Sequence, residues 1–65
     1  MRVRVNGQDR DLAAGSDIFT LLTEHKLTPD KVAVEVNRRL VRSIKYDTPL
    51  KEGDEIEIVT FVGGG

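Results

Sequence analysis

The sequence predicts an α+β domain in which one β-sheet carries a single helix across one face. Three observations predict it. Asn6-Gly7 separates two short extended runs, the strongest local signal for a hairpin. One stretch only, Ile18, Leu21 and Leu22, shows apolar residues at helical spacing. The segments after it alternate apolar and polar residues, as half-buried strands do. The order β-β-α-β-β-β suits a sheet and a helix packed as two layers.

The first strand covers residues 2–6, where Val3 and Val5 alternate with Arg2 and Arg4. Both residues of Asn6-Gly7 tolerate positive φ, and the second strand follows over about 8–13. Gly15-Ser16-Asp17 opens a helix expected over Ser16–Lys26. Ser16 is the expected N-cap, and Asp17 suits the positive end of the helix dipole. Pro29 disfavours helix at Thr28 and ends the element. In "VAVEVN", Val32, Val34 and Val36 face one way and Ala33, Glu35 and Asn37 the other. "RRLVRSIKY" predicts a turn, a short strand near Leu40–Arg42 and an irregular stretch. The last strand, Glu55 to Val62, follows a turn at Glu52-Gly53-Asp54. The expected core is Val3, Val5, Ile18, Leu21, Leu22, Val32, Val34, Leu50, Ile56 and Ile58.

The 65 residues predict a single domain. A chain this short buries only roughly 60% of its unfolded surface. An enclosed catalytic cavity is not expected, and a binding or carrier module is. Ten basic and eleven acidic residues leave a net charge of −1, so no global field draws in nucleic acid or an anionic membrane. The chain has no cysteine, which excludes disulfides, thiolate metal sites and a side-chain thiol carrying sulfur or an acyl group. No run resembles a secretory leader or a membrane span, so a cytoplasmic location is expected.

Few side chains suggest chemistry of their own. His25 could act as an acid, base or metal ligand. With no second histidine and no cysteine, a half-buried helix residue is the plainer expectation. Ser16 and Ser43 lack the base and orienting partner of a nucleophilic serine. Arg38, Arg39, Arg42 and Lys45 form a local basic cluster. RNA-binding surfaces interleave aromatic residues for stacking, and only Tyr46 is near. A solvated loop or a protein-docking patch fits better. Glu52, Asp54, Glu55 and Glu57 fall on a turn and on alternate strand positions, the pattern of a solvent face.

Gly63, Gly64 and Gly65 stand apart, because they continue an apolar strand without a spacer and can pack nothing. They also end the sequence, which places a carboxylate on a residue without Cβ. Extended, Val62 to Gly65 would reach on the order of 13 Å at about 3.3 Å per residue. Glycines can thread a tunnel too narrow for any Cβ. Ordering each costs about 1 kcal/mol or more, which favours release after binding. The tail is therefore expected to be flexible and to work in a partner's site. On the strand that leads to it, Val59 and Phe61 share the polar parity of Glu55 and Glu57. With Val62 they form an expected apolar docking patch beside the tail. A bulge or a covered sheet edge that turns them inward is the alternative.

"VNG" at Val5–Gly7, "VAVEVN" at Val32–Asn37 and "LKEGDEIEIVTFVGGG" at Leu50–Gly65 together resemble the sulfur carrier family of thiamine biosynthesis, within the ubiquitin-like β-grasp proteins. The resemblance covers nearly the whole chain. Arg38 departs from it, since members often carry Gly after that Asn, and Tyr46 stands where an aromatic, often Trp, is usual. The resemblance implies a mixed sheet of four to five strands with the first and last parallel at its centre. It implies a carrier without catalytic residues. A ubiquitin-activating-like adenylyltransferase would use ATP and Mg to adenylate the Gly65 carboxylate. A cysteine desulfurase or sulfurtransferase would supply sulfur, and the Gly65 thiocarboxylate would pass to thiazole synthase. The carrier itself would bind no cofactor, metal, nucleic acid or membrane, and would be a free monomer. Other classes stay open: a sulfur carrier for molybdopterin, tRNA thiolation or an amino acid, a protein modifier, or an RNA- or protein-binding module.

Overall fold

Asn6 and Gly7 adopt φ of 50° and 82°, the doubly positive pair that a two-residue hairpin turn requires. They join β1 (Arg2–Val5) to β2 (Gln8–Asp11). The structure is a computed structural model, and it describes residues 1–61. Helix α1 (Ile18–Glu24) follows, then β3 (Val32–Val36), β4 (Arg39–Val41) and β5 (Glu55–Thr60). Short 3-10 turns lie at Pro29–Lys31 and Ser43–Lys45. The sheet order is β2-β1-β5-β3-β4. Strands β1 and β5 are parallel, and the other neighbours are antiparallel. This is the β-grasp arrangement: the last strand is central, between the first and the third.

The core follows strand parity. Val3 and Val5 of β1, Val32 and Val34 of β3 and Ile56 of β5 meet Ile18, Leu21 and Leu22 of the helix, with Leu50 beside them, and all are buried. Ile58 is a correction of degree. It is partly buried, because β1 pairs only as far as Val5 opposite Ile56 and leaves Ile58 near the margin. Leu12 and Tyr46 also belong to the core. The Tyr46 ring meets Phe19 edge-on at 5.8 Å, a favoured aromatic geometry. Burial pushes the Tyr46 phenol above its ordinary pKa.

The helix is shorter than expected, and its N-cap is Asp17 rather than Ser16. Asp17 Oδ1 accepts from Thr20 N–H at 2.8 Å, and Thr20 Oγ1 accepts from Asp17 N–H at 3.4 Å, which closes a capping box. Ser16 is buried, and its backbone ties loops together: its N–H donates to Ala13 O and its carbonyl accepts from Leu50 N–H. The Tyr46 carbonyl accepts from Ile18 and Phe19 N–H, satisfying donors that a helix start leaves unpaired. At the other end His25 is the C-cap, and Lys26 turns away with φ of 58°.

Two asparagines hold β5 from either side. Asn6 Oδ1 accepts from Ile58 N–H at 2.7 Å, and Asn6 Nδ2 donates to Ile58 O at 3.3 Å. One side chain thereby extends the β1–β5 ladder past the end of β1. Asn37 Oδ1 accepts from Glu55 N–H at 3.0 Å, Asn37 Nδ2 donates to Asp54 Oδ1 at 3.0 Å, and Asn37 N–H donates to Glu55 O at 2.7 Å.

Candidate functional site

The candidate site is the downstream end of β5 on the open face of the sheet. Its geometry follows from β3. Val32 pairs with Thr60, Ala33 with Val59 and Val34 with Ile58. Phe61 N–H then donates to Lys31 O at 2.8 Å, so the chain stays tethered to the sheet one residue past the strand. On β5 Ile56 is buried and Ile58 partly buried against the core, whereas Glu55, Glu57 and Val59 are exposed. Val59 is 59% exposed and Phe61 is 55% exposed. No bulge turns them inward: the paired register with β3 is unbroken from Ile56 to Thr60. Val62, Gly63, Gly64 and Gly65, with the expectations placed on them, lie outside the described residues.

Upstream on the same face the sheet is charged. Glu35 stands directly opposite Glu57, and Glu55 stands beside Arg4. Like charges directly opposed across strands are unfavourable, so this face does not maximise stability. These residues, with Arg38 and Gly7, line a shallow depression of about 320 Å³. The outer strands carry exposed ion pairs, Arg2 with Asp11 at 3.1 Å and Arg4 with Asp9 at 3.7 Å. The guanidinium of Arg2 holds the Asp11 carboxyl below its usual range. The open face therefore grades from charged at the start of β5, where Glu35, Glu55 and Glu57 stand beside Arg4 and Arg38, to apolar at its end.

The remaining candidates are dispersed. His25 is exposed rather than half-buried, because the helix ends at Glu24 and the chain departs from the core-facing stripe. Its Nε2 lies 3.3 Å from Arg10 Nη1, and Arg10 also pairs with Glu24. Among the described residues no three His, Cys, Asp or Glu side chains converge to hold a metal ion. Ser43 begins a 3-10 turn. Glu52 Oε1 accepts from Arg2 N–H, and Asp54 Oδ2 accepts from Lys51 N–H, so both serve the turn before β5. No helix among the described residues is long and apolar enough to cross a membrane.

The sequence reasoning passed over Asn6 and Asn37 as anchors of β5. The signal was available: each closes an apolar-alternating strand, and each adopts positive φ, where Asn is favoured among residues other than Gly.

Comparison with known proteins places this geometry among relatives. The ThiS family matches residues 3–65. A protein named thiazole synthase from Paramagnetospirillum magneticum is 38% identical over 66 aligned positions, covering 100% of this chain and 20% of that protein. Another thiazole synthase, from Magnetococcus marinus, is 39% identical with the same coverage. The chain thus spans about a fifth of the length of these curated relatives. The crystal structure of the thiamine biosynthesis protein ThiS from Geobacter metallireducens superposes with a TM-score of 0.79 at 30% identity, over 100% of both chains.

Proposed function

The chain belongs to the ThiS family, and from that premise we propose that it is a sulfur carrier of thiamine biosynthesis that bears sulfur as a thiocarboxylate at Gly65. The observation that carries the reading is the family match itself, which runs through Gly63–Gly65 to residue 65. The exposed Val59 and Phe61 support it, since they give a partner an apolar grip at the end of β5 nearest the tail.

A carboxylate is a poor acyl donor because its charge is delocalised. In this reading an adenylyltransferase of the ubiquitin-activating type binds Mg-ATP, and the Gly65 carboxylate oxygen attacks the α-phosphorus with loss of pyrophosphate. The terminal sulfur of a persulfide, supplied by a cysteine desulfurase or sulfurtransferase, attacks the acyl carbon and expels AMP. A second thiol cleaves the resulting acyl disulfide, leaving the thiocarboxylate on Gly65 and a disulfide on the donor. The thiocarboxylate sulfur is a good nucleophile, and its tether to the carrier prevents loss. Thiazole synthase is the proposed acceptor, supported by the likeness of this chain to a fifth of two proteins of that name. The carrier contributes shape and a terminus, and no catalytic side chain.

The test is to incubate the chain with its activating enzyme, ATP and a sulfur donor, and to weigh it intact. The expected result is replacement of one oxygen by sulfur, located to Gly65 by fragmentation. Sulfur found elsewhere, or none taken up, would contradict the reading. Supplying thiazole synthase and its remaining substrates then tests the acceptor: sulfur should leave the carrier as thiazole forms.

A further inference from the structure

We propose that the chain has a second docking site, a groove on the helix side of the sheet that takes an acidic amphipathic segment of a partner protein. The groove is open to solvent and offers about 590 Å³, within the range of clefts that hold ligands. It lies between β4 and the segment that leads to β5, and Val36 and Leu50 contribute its inner apolar surface. At its mouth Ile44 is 80% exposed, more than Val59 or Phe61, while Leu40, 70% exposed, borders the groove at the sheet edge and shares the open face with its partner Glu35. Arg42, Lys45 and Lys51 also line it. None of the three forms an ion pair with a described residue. The carboxylate among the lining residues, Asp54, is already bonded to Asn37 Nδ2 at 3.0 Å and to Lys51 N–H at 2.8 Å.

Apolar side chains flanked by cations that form no ion pair among the described residues complement apolar side chains flanked by carboxylates. RNA would meet the same cations, but sequence-tolerant binding of single strands relies on exposed aromatic faces. Tyr46, the aromatic beside this cluster, is buried in the core. A protein segment is therefore the occupant that the chemistry fits.

The groove's position gives it a use. It includes Asn37 and Asp54, at the start of β5, whereas Phe61 follows the other end of the strand. Seven steps of extended chain run from Asp54 to Phe61, roughly 23 Å at about 3.3 Å per residue. Val36 shares the core-facing side of the sheet with its partner Ile56, opposite to Val59 and Phe61. A protein seated in the groove leaves the end of β5 accessible, so two partners can hold the chain at once. This inference stands independently of the sulfur chemistry.

The experiment titrates the isotope-labelled chain with a synthetic helical peptide whose leucine stripe is flanked by glutamates, at low salt, and follows backbone amide shifts. Two further titrations use the same stripe flanked by lysines and a single-stranded uridine oligonucleotide. Saturable shifts should fall on residues 36–51 and spare 59–61. Ile44→Asp and Lys45→Glu should each weaken binding about tenfold or more, with Tm unchanged because both side chains are exposed. Phe61→Ala should bind the peptide as the parent does. The proposal is overturned by absence of saturable shifts, by shifts centred on Val59–Phe61, by equal binding of the lysine peptide, or by tighter binding of the oligonucleotide at the groove.

Discussion

At the scale of single residues, the informative positions are those where side-chain chemistry and backbone conformation conflict. Arg38 adopts φ of 70°, the second positive value in a row after Asn37 at 53°. A residue with a Cβ pays about 1–2 kcal/mol there, whereas Gly pays roughly 0.5–1 kcal/mol through the unfolded chain. Arg38→Gly should therefore stabilise the protein by up to about 1 kcal/mol, measured by chemical denaturation. A loss of stability would show that the Arg38 side chain contributes more than its backbone costs. Tyr46 makes a pH prediction. Its pKa is raised by burial, so the folded state keeps a proton that the unfolded state releases near pH 10. Stability should be unaffected below that value and fall as pH rises above it. Tyr46→Phe should flatten that alkaline slope in thermal melts across the range. An unchanged slope would mean that another group sets it.

At the scale of elements, β5 depends on its neighbours unequally. Strand β3 pairs with it throughout, but β1 reaches only Ile56, and the Asn6 side chain continues the ladder to Ile58. Asn6→Ala removes two hydrogen bonds and a residue suited to φ of 50°. It should cost about 1–3 kcal/mol and speed amide exchange of Ile58 more than of Val34. Uniform protection in the variant would show that β5 does not rely on Asn6. The strands and the first hairpin were legible in the sequence because period-two alternation and Asn-Gly are local signals. The helix was legible too, but its cap was placed one residue early. Ser16 and Asp17 are both good caps, and the choice was made by Ser16's backbone bonds to Ala13 and to Leu50, distant in sequence. Leu12 and Tyr46 escaped notice as core residues because they sit outside periodic segments. The outward parity of Val59 and Phe61 was legible from alternation alone.

At the scale of the whole molecule, the fold places two kinds of surface at opposite ends of its central strand. The end of β5 is apolar and leads to the tail. The start is charged on the open face and flanked by a cationic groove on the helix face. In this account Phe61 grips the enzymes that act on the tail. Phe61→Ala should weaken binding to the activating enzyme by about tenfold, the effect of losing a buried apolar side chain, while Tm changes little because Phe61 is 55% exposed in the free chain. Unchanged affinity would remove it from the interface. The acidic residues Glu55 and Glu57 should alter association rate and its salt dependence more than dissociation. A tail that works in a partner's site is an expectation from the glycines themselves, whereas the sulfur chemistry proposed for it rests on the resemblance, because glycines carry no side-chain chemistry from which a reaction could be inferred.

The central claim is that sulfur is carried on Gly65, and intact-mass analysis after incubation with activating enzyme, ATP and sulfur donor tests it most directly. The parent chain should gain the mass of one oxygen-to-sulfur exchange at Gly65. A chain lacking Gly65 should melt at the parent's temperature and gain nothing. A Gly65-deleted chain that still acquired sulfur would contradict the account.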